Sequence, residues 1–105
     1  MSHPLSAQEL EVALSSLPGW SIEEDHLTKL YILGTFREAI GFIVQVGFLA
    51  DEANHHPELY NVYRRVQVSL TTHDAGSQVT EKDVKLAEKI EALYPTEPDE
   101  EAPAD

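Results

Sequence analysis

The stretch Asp51–Asp83, DEANHHPELYNVYRRVQVSLTTHDAGSQVTEKD, contains the end of one helix, a strand pattern and the start of another helix. It also holds three of the five histidines, His55, His56 and His73. Pro57 disfavours helical backbone in the residue before it, so the long apolar pattern upstream stops at the His55–His56 pair. The run Val66-Gln67-Val68-Ser69-Leu70-Thr71 alternates with a period of two, which predicts a half-buried strand whose Val66, Val68 and Leu70 face the core. His73 follows at the strand's end, entering a loop. Thr80 with Asp83 then gives the cap signal of a last helix. If the strand returns the chain to the helix end, the three histidines meet, and a site is expected there.

Working outward, Ser6 and Glu9 form a capping-box pattern. Leu10, Ala13, Leu14 and Leu17 recur at helical spacing until Pro18-Gly19, which predicts a helix over about 7–17. Trp20-Ser21-Ile22 and His26 to Leu33 read as two strands around the acidic turn Glu23-Glu24-Asp25. His26 at a strand start has the ordinary reading of an exposed polar residue, and neither it nor His3 is assigned a role. Thr35 and Glu38 open the longest helix, to about Asn54, with Phe36, Ala39, Ile40, Ile43, Gly47 and Ala50 as one apolar stripe. Phe42, Val44, Val46, Phe48 and Leu49 make that helix apolar nearly all round, which predicts that a second subunit covers part of it. Asn61 to Tyr63 and Val66 to Thr72 read as strands, with Arg64-Arg65 breaking the alternation. Val84, Ala87, Ile90 and Leu93 predict a last amphipathic helix ending near Tyr94-Pro95.

The expected fold is α+β, in the order α-β-β-α-β-β-α: a four-stranded antiparallel sheet with three helices packed on one face. Residues 1–95 form its single domain. Residues 96–105, rich in Pro, Glu, Asp and Ala, form an acidic tail expected to be disordered. An open sheet edge and the over-apolar helix predict a homodimer or homotetramer.

With 19 acidic and 7 basic residues the formal charge is −12, which argues against direct nucleic-acid binding through a basic surface. There is no cysteine, hence no disulfide and no thiolate metal site, in keeping with a cytoplasmic protein. The apolar run from Phe42 to Ala50 is interrupted by Gln45 and is too short to span a bilayer, so no membrane role is expected.

Three histidines suit either a zinc site or acid/base catalysis. Adjacent His55 and His56 project about 100° apart on a helix, so both ligate one ion only if the backbone leaves helical geometry. No HExxH spacing occurs, and a carboxylate such as Asp51, Glu52 or Asp83 would have to complete the set. Metal-free proton transfer asks less, because histidine with an ordinary pKa of about 6.5 both donates and accepts near neutral pH.

The strings NHHPELYNVY, VQVSLTTHDAG and TEKDVKLAEKIE resemble the pterin-4a-carbinolamine dehydratases. That family is marked by His-His-Pro followed by Tyr, a Thr-His at a strand end and an Asp opening the last helix. Leu5-Ser6-Ala7, Gly19-Trp20 and the run from Phe36 to Phe42 extend the likeness over nearly the whole chain. The resemblance implies a hydro-lyase that dehydrates 4a-hydroxytetrahydrobiopterin to quinonoid dihydrobiopterin, recycling the cofactor of an aromatic amino acid hydroxylase. It implies no metal and no cofactor of its own. His55 and His73 become the proton-transferring pair, with His56 holding substrate or sharing the acid role. Pro57 fixes the turn that presents them, while Tyr63, Thr72 and Asp83 line or support the pterin site. Asp83 also has the plain reading of a helix N-terminal carboxylate. Leu59 stands where members commonly carry Trp, Asn54 where Asp is frequent, and the loop after His73 is a residue longer than in animal members. Two other classes remain open: an interaction protein, since animal members also act as dimerisation cofactors of a homeodomain transcription factor, and a pterin-binding accessory without turnover.

Overall fold

Two hairpins meet at the centre of the sheet in the computed structural model, which describes residues 3–93. β1 (Ser21–Glu23) and β2 (His26–Ile32) form the first, and β3 (Glu58–Val62) and β4 (Arg65–Leu70) the second. The sheet order is β1-β2-β4-β3, antiparallel throughout, so each hairpin contributes its second strand to the middle. The helices are α1 (Ala7–Leu14), α2 (Phe36–Ala53) and α3 (Glu81–Leu93). The order α-β-β-α-β-β-α is the expected one, and the disordered-tail expectation for 96–105 lies outside the described residues.

Local chemistry explains the boundaries. Ser6 and Glu9 complete a reciprocal capping box at 2.8 and 3.1 Å, and the Thr35 hydroxyl accepts from the Glu38 N–H at 3.1 Å. α1 ends at Leu14 rather than Leu17, because the Ser15 and Ser16 hydroxyls donate to the Val12 and Ala13 carbonyls and compete with the helical ladder. β3 begins at Glu58, earlier than expected, since Pro57 already directs the chain into extended backbone. β4 stops at Leu70; Thr72 instead makes an isolated bridge to Gln78.

Val66, Val68 and Leu70 face the helices fully buried, joined by Leu27 and Tyr31 of β2 and by Leu86, Ala87 and Ile90 of α3. Each such aliphatic side chain contributes about 1.5–3 kcal/mol on leaving water. α2 is turned differently from expectation. Its core face is Ala39, Phe42, Val46 and Ala50, while Phe36, Ile40, Val44 and Phe48 are exposed. A helix apolar on every side carries no pattern to fix its rotation. The outcome is an uncovered apolar row at four-residue intervals.

Two buried cations fill places where apolar residues are the rule. Lys29, on the core face between Leu27 and Tyr31, donates to Glu91 at 2.9 and 3.1 Å and to the Pro18 carbonyl at 2.8 Å. Glu91 also accepts from the Tyr31 hydroxyl at 2.6 Å and the Trp20 ring N–H at 3.1 Å. Arg64, in the β3–β4 turn, donates to the Leu33 carbonyl at 3.1 Å. No helix among the described residues is long and apolar enough to cross a membrane.

Candidate active site

Three backbone segments converge: the end of α2 with the corner after it, the loop leaving β4, and the start of α3. The α2 end is shaped by Asn54, whose φ of 50° is left-handed. The His55 N–H then reaches back to the Ala50 carbonyl at 3.0 Å, a Schellman closure. Asn is among the few side chains that accept this backbone readily, so the residue at 54 serves the corner's shape. Pro57, half-buried, sends the chain on into β3.

Asp83 joins the three segments. It is fully buried at the third position of α3. Its Oδ1 accepts from the His55 ring Nε2–H at 2.5 Å. Its Oδ2 accepts from the Thr72 hydroxyl and from the Thr80 backbone N–H, each at 2.8 Å. Because the Thr72 proton is committed to Asp83, the Thr80 hydroxyl must donate to Thr72 Oγ1, 2.7 Å away. Thr80 Oγ1 in turn accepts from the Lys82 N–H at 3.2 Å. Every proton in this cluster has one consistent place. An ionised carboxylate only accepts, so the Asp83 contact holds a neutral His55 as the Nε2–H tautomer and leaves its Nδ1 without hydrogen.

His73 follows Thr72 directly and opens a short 3-10 turn, His73–Ala75. The loop is closed by Thr72 N–H donating to the Gln78 carbonyl at 3.0 Å, with Gly76 and Ser77 at φ 75° and 57°. His73 is exposed, with its Nδ1 3.4 Å from the Ser77 hydroxyl; His56 is exposed as well, and His55 is half-buried. The structure therefore joins His55, Thr72 and Asp83 by hydrogen bonds, with His56, Pro57 and His73 their neighbours in the chain. Tyr63 lies elsewhere. It sits at φ 51° in the turn at the far end of the β3–β4 hairpin, roughly 17 Å of strand from Glu58. Leu59 is partly exposed on β3. Thr80, read from sequence only as a cap, proves to be part of the hydrogen-bonded cluster, and its capping signature was the available clue. Among the described residues no group of three His, Cys, Asp or Glu side chains is arranged to hold a metal ion.

Comparison with known proteins places nearly the whole described chain in one family. Positions 3–93 match the family model described as pterin 4 alpha carbinolamine dehydratase. A protein of Opitutus terrae, provisionally assigned as a pterin-4-alpha-carbinolamine dehydratase, is 49% identical over 85% of this chain and 92% of its own length. One of Streptomyces coelicolor with the same provisional assignment is 44% identical over 88% and 91%. A crystal structure from Brucella melitensis, described as a transcriptional coactivator/pterin dehydratase, superposes with a TM-score of 0.82 at 36% identity, covering 87% of this chain and 98% of that one.

Proposed function

The chain belongs to the pterin 4 alpha carbinolamine dehydratase family, and on that premise we propose that it dehydrates 4a-hydroxytetrahydrobiopterin to quinonoid dihydrobiopterin by histidine acid/base catalysis. In this reaction the C4a–O bond breaks. The departing oxygen gains a proton and leaves as water, N5 gives up its proton, and the N5 electrons form the new double bond to C4a. Nothing is oxidised or reduced, so the demand on the protein is two proton-handling groups placed about one ring.

The observation that carries the reading is the Asp83–His55 contact beside the loop that bears His73. Asp83 fixes the His55 tautomer and ring plane, and supplies a counter-charge whenever Nδ1 takes up a proton, the role of the carboxylate in a catalytic triad. His73 is the second proton-transfer group. His56 holds substrate or shares the acid role, Pro57 sets the corner, and Thr72 ties the His73 loop to Asp83. Tyr63 takes part only if the pterin site draws on residues beyond this one cluster. The substrate comes from an aromatic amino acid hydroxylase, whose spent cofactor this activity recycles in the cytoplasm. A second copy of the chain covers the exposed row Phe36, Ile40, Val44 and Phe48, giving a homodimer or homotetramer.

The test supplies purified protein with enzymatically generated 4a-hydroxytetrahydrobiopterin and follows the ultraviolet absorbance of the quinonoid product. Acceleration over spontaneous water loss supports the reading. A folded protein that gives no acceleration overturns it. The second reading, a non-catalytic interaction protein, is favoured by that same apolar row and by the coactivator description of the Brucella relative. It predicts capture of a different protein on the row, and a biological role that survives loss of all three histidines.

A further inference from the structure

The turn between β1 and β2 touches both backbone segments that carry the histidines. Glu24 and Asp25 fill its two corner positions at φ 50° and 63°, the pair of left-handed residues that a type I′ hairpin requires. Both of its carbonyls are engaged. The Asp25 carbonyl accepts from the Thr71 hydroxyl at 3.1 Å, and the Glu24 carbonyl lies 2.8 Å from His26 Nδ1. The other ring nitrogen, Nε2, is 3.2 Å from the Glu58 carboxylate. Thr71 lies two residues before His73, and Glu58 two residues after His56.

Both partners of the His26 ring are acceptors. A ring can satisfy both only when each nitrogen carries hydrogen, which is the imidazolium form. A neutral ring that keeps the Glu24 carbonyl turns its Nε2 lone pair toward the Glu58 carboxylate.

We propose that His26 is a positioning residue: protonated, it clasps the start of β3 to the β1–β2 turn, which Thr71 already ties to the end of β4, and so sets the spacing between the His55–His56 pair and His73. The consequence for catalysis rests on the reaction proposed above; the clasp itself rests on the contacts. The hydrogen bond to the Glu24 carbonyl is the largest influence raising the pKa of His26 above its ordinary value; burial opposes it, and the Glu58 hydrogen bond and the charges of Glu58 and Glu24 reinforce it. Among the described residues, Glu24 and Glu58 are the groups whose hydrogen bonds and charges bear on His26. Glu23, the β1 residue paired with His26, is bonded to the Ser21 hydroxyl, and Thr71, next to this site beyond β4, is uncharged. Because the folded pKa is raised, the clasp is complete below the ordinary histidine value and is lost as pH rises through the folded value. Glu58 is largely exposed, so the effect is modest.

The experiment combines histidine-ring NMR titration with turnover measured from about pH 5 to 8, on the wild type, Glu58→Gln and His26→Gln. The clasp predicts that Glu58→Gln lowers the His26 titration and shifts the ring signals of His55 and His73. It further predicts a fall in kcat of about two- to fivefold as His26 deprotonates, absent from the His26→Gln profile. A His26 titration unmoved by Glu58→Gln overturns the clasp, as does a His26→Gln kcat profile that superimposes on the wild type. If the wild type fails to turn over, the reaction reading falls, and the clasp then stands or falls on the His55 and His73 ring shifts.

Discussion

The ring of His55 donates to the carboxylate of Asp83, 28 positions later in the chain. The contact joins the end of α2 to the start of α3, and Asp83 is fully buried where it occurs. A buried carboxylate with three donors aimed at it is satisfied without water, and its geometry is set by two helices and a loop rather than by one flexible side chain.

Asp83→Asn separates orientation from folding. The amide oxygen can still accept from Thr72 and the Thr80 N–H, which places its NH2 group against His55 and forces the other tautomer. We expect the fold to persist and kcat to fall by about a hundredfold, with little change in KM. Steady-state kinetics beside circular dichroism will read both.

Thr72→Val keeps volume and removes a hydroxyl. Asp83 then loses one donor, and the Thr80 hydroxyl loses its acceptor. The expected loss is about 1–3 kcal/mol of stability, measured by urea unfolding. Thr80→Val breaks the same chain of protons and should resemble it.

Glu91 governs the acid limit of the fold. Burial alone would raise its pKa, but hydrogen bonds from Tyr31, Lys29 and Trp20 outweigh that and hold it below the ordinary carboxylate value. Its stabilising contribution is therefore present above the unfolded-state value and is lost as pH falls through the lower folded one. Glu91→Leu leaves Lys29 buried without its counter-charge and should cost about 3–5 kcal/mol. Thermal melts at falling pH will show whether the variant lacks the acid-dependent decline of the wild type.

The proposed assembly buries the exposed apolar row of α2. Val44→Glu combined with Phe48→Glu places two charges in that row and should shift the sedimentation coefficient to that of a monomer while leaving helical content unchanged. A wild type already monomeric at micromolar concentration contradicts the proposed oligomer.

Much of this architecture is legible in the chain. Alternation in Val66 to Leu70, the Ser6, Thr35 and Thr80 caps, and Pro57 after the histidine pair give the element order and put the candidate site at the α2 corner. What stays hidden has physical causes. The rotation of α2 is not encoded in a helix that is apolar on all sides. Lys29 is readable by strand period as inward-facing, but its burial depends on Glu91, which comes from a helix 62 residues later. His26 shows no sequence sign of its second partner, because Glu58 lies two strands away across β4. Asp83 has a sufficient local reason to sit at a helix start, so sequence alone does not separate that role from the orientation of His55. Tyr63 is close to the histidines in sequence, yet the strand carries it to the other end of the sheet.

The most direct test is dehydration of 4a-hydroxytetrahydrobiopterin by the wild type beside His55→Ala and His73→Ala, each confirmed folded and assayed with and without a chelator. The account predicts chelator-resistant turnover in the wild type that collapses in both variants. Turnover that survives in either variant, or that the chelator abolishes, contradicts it.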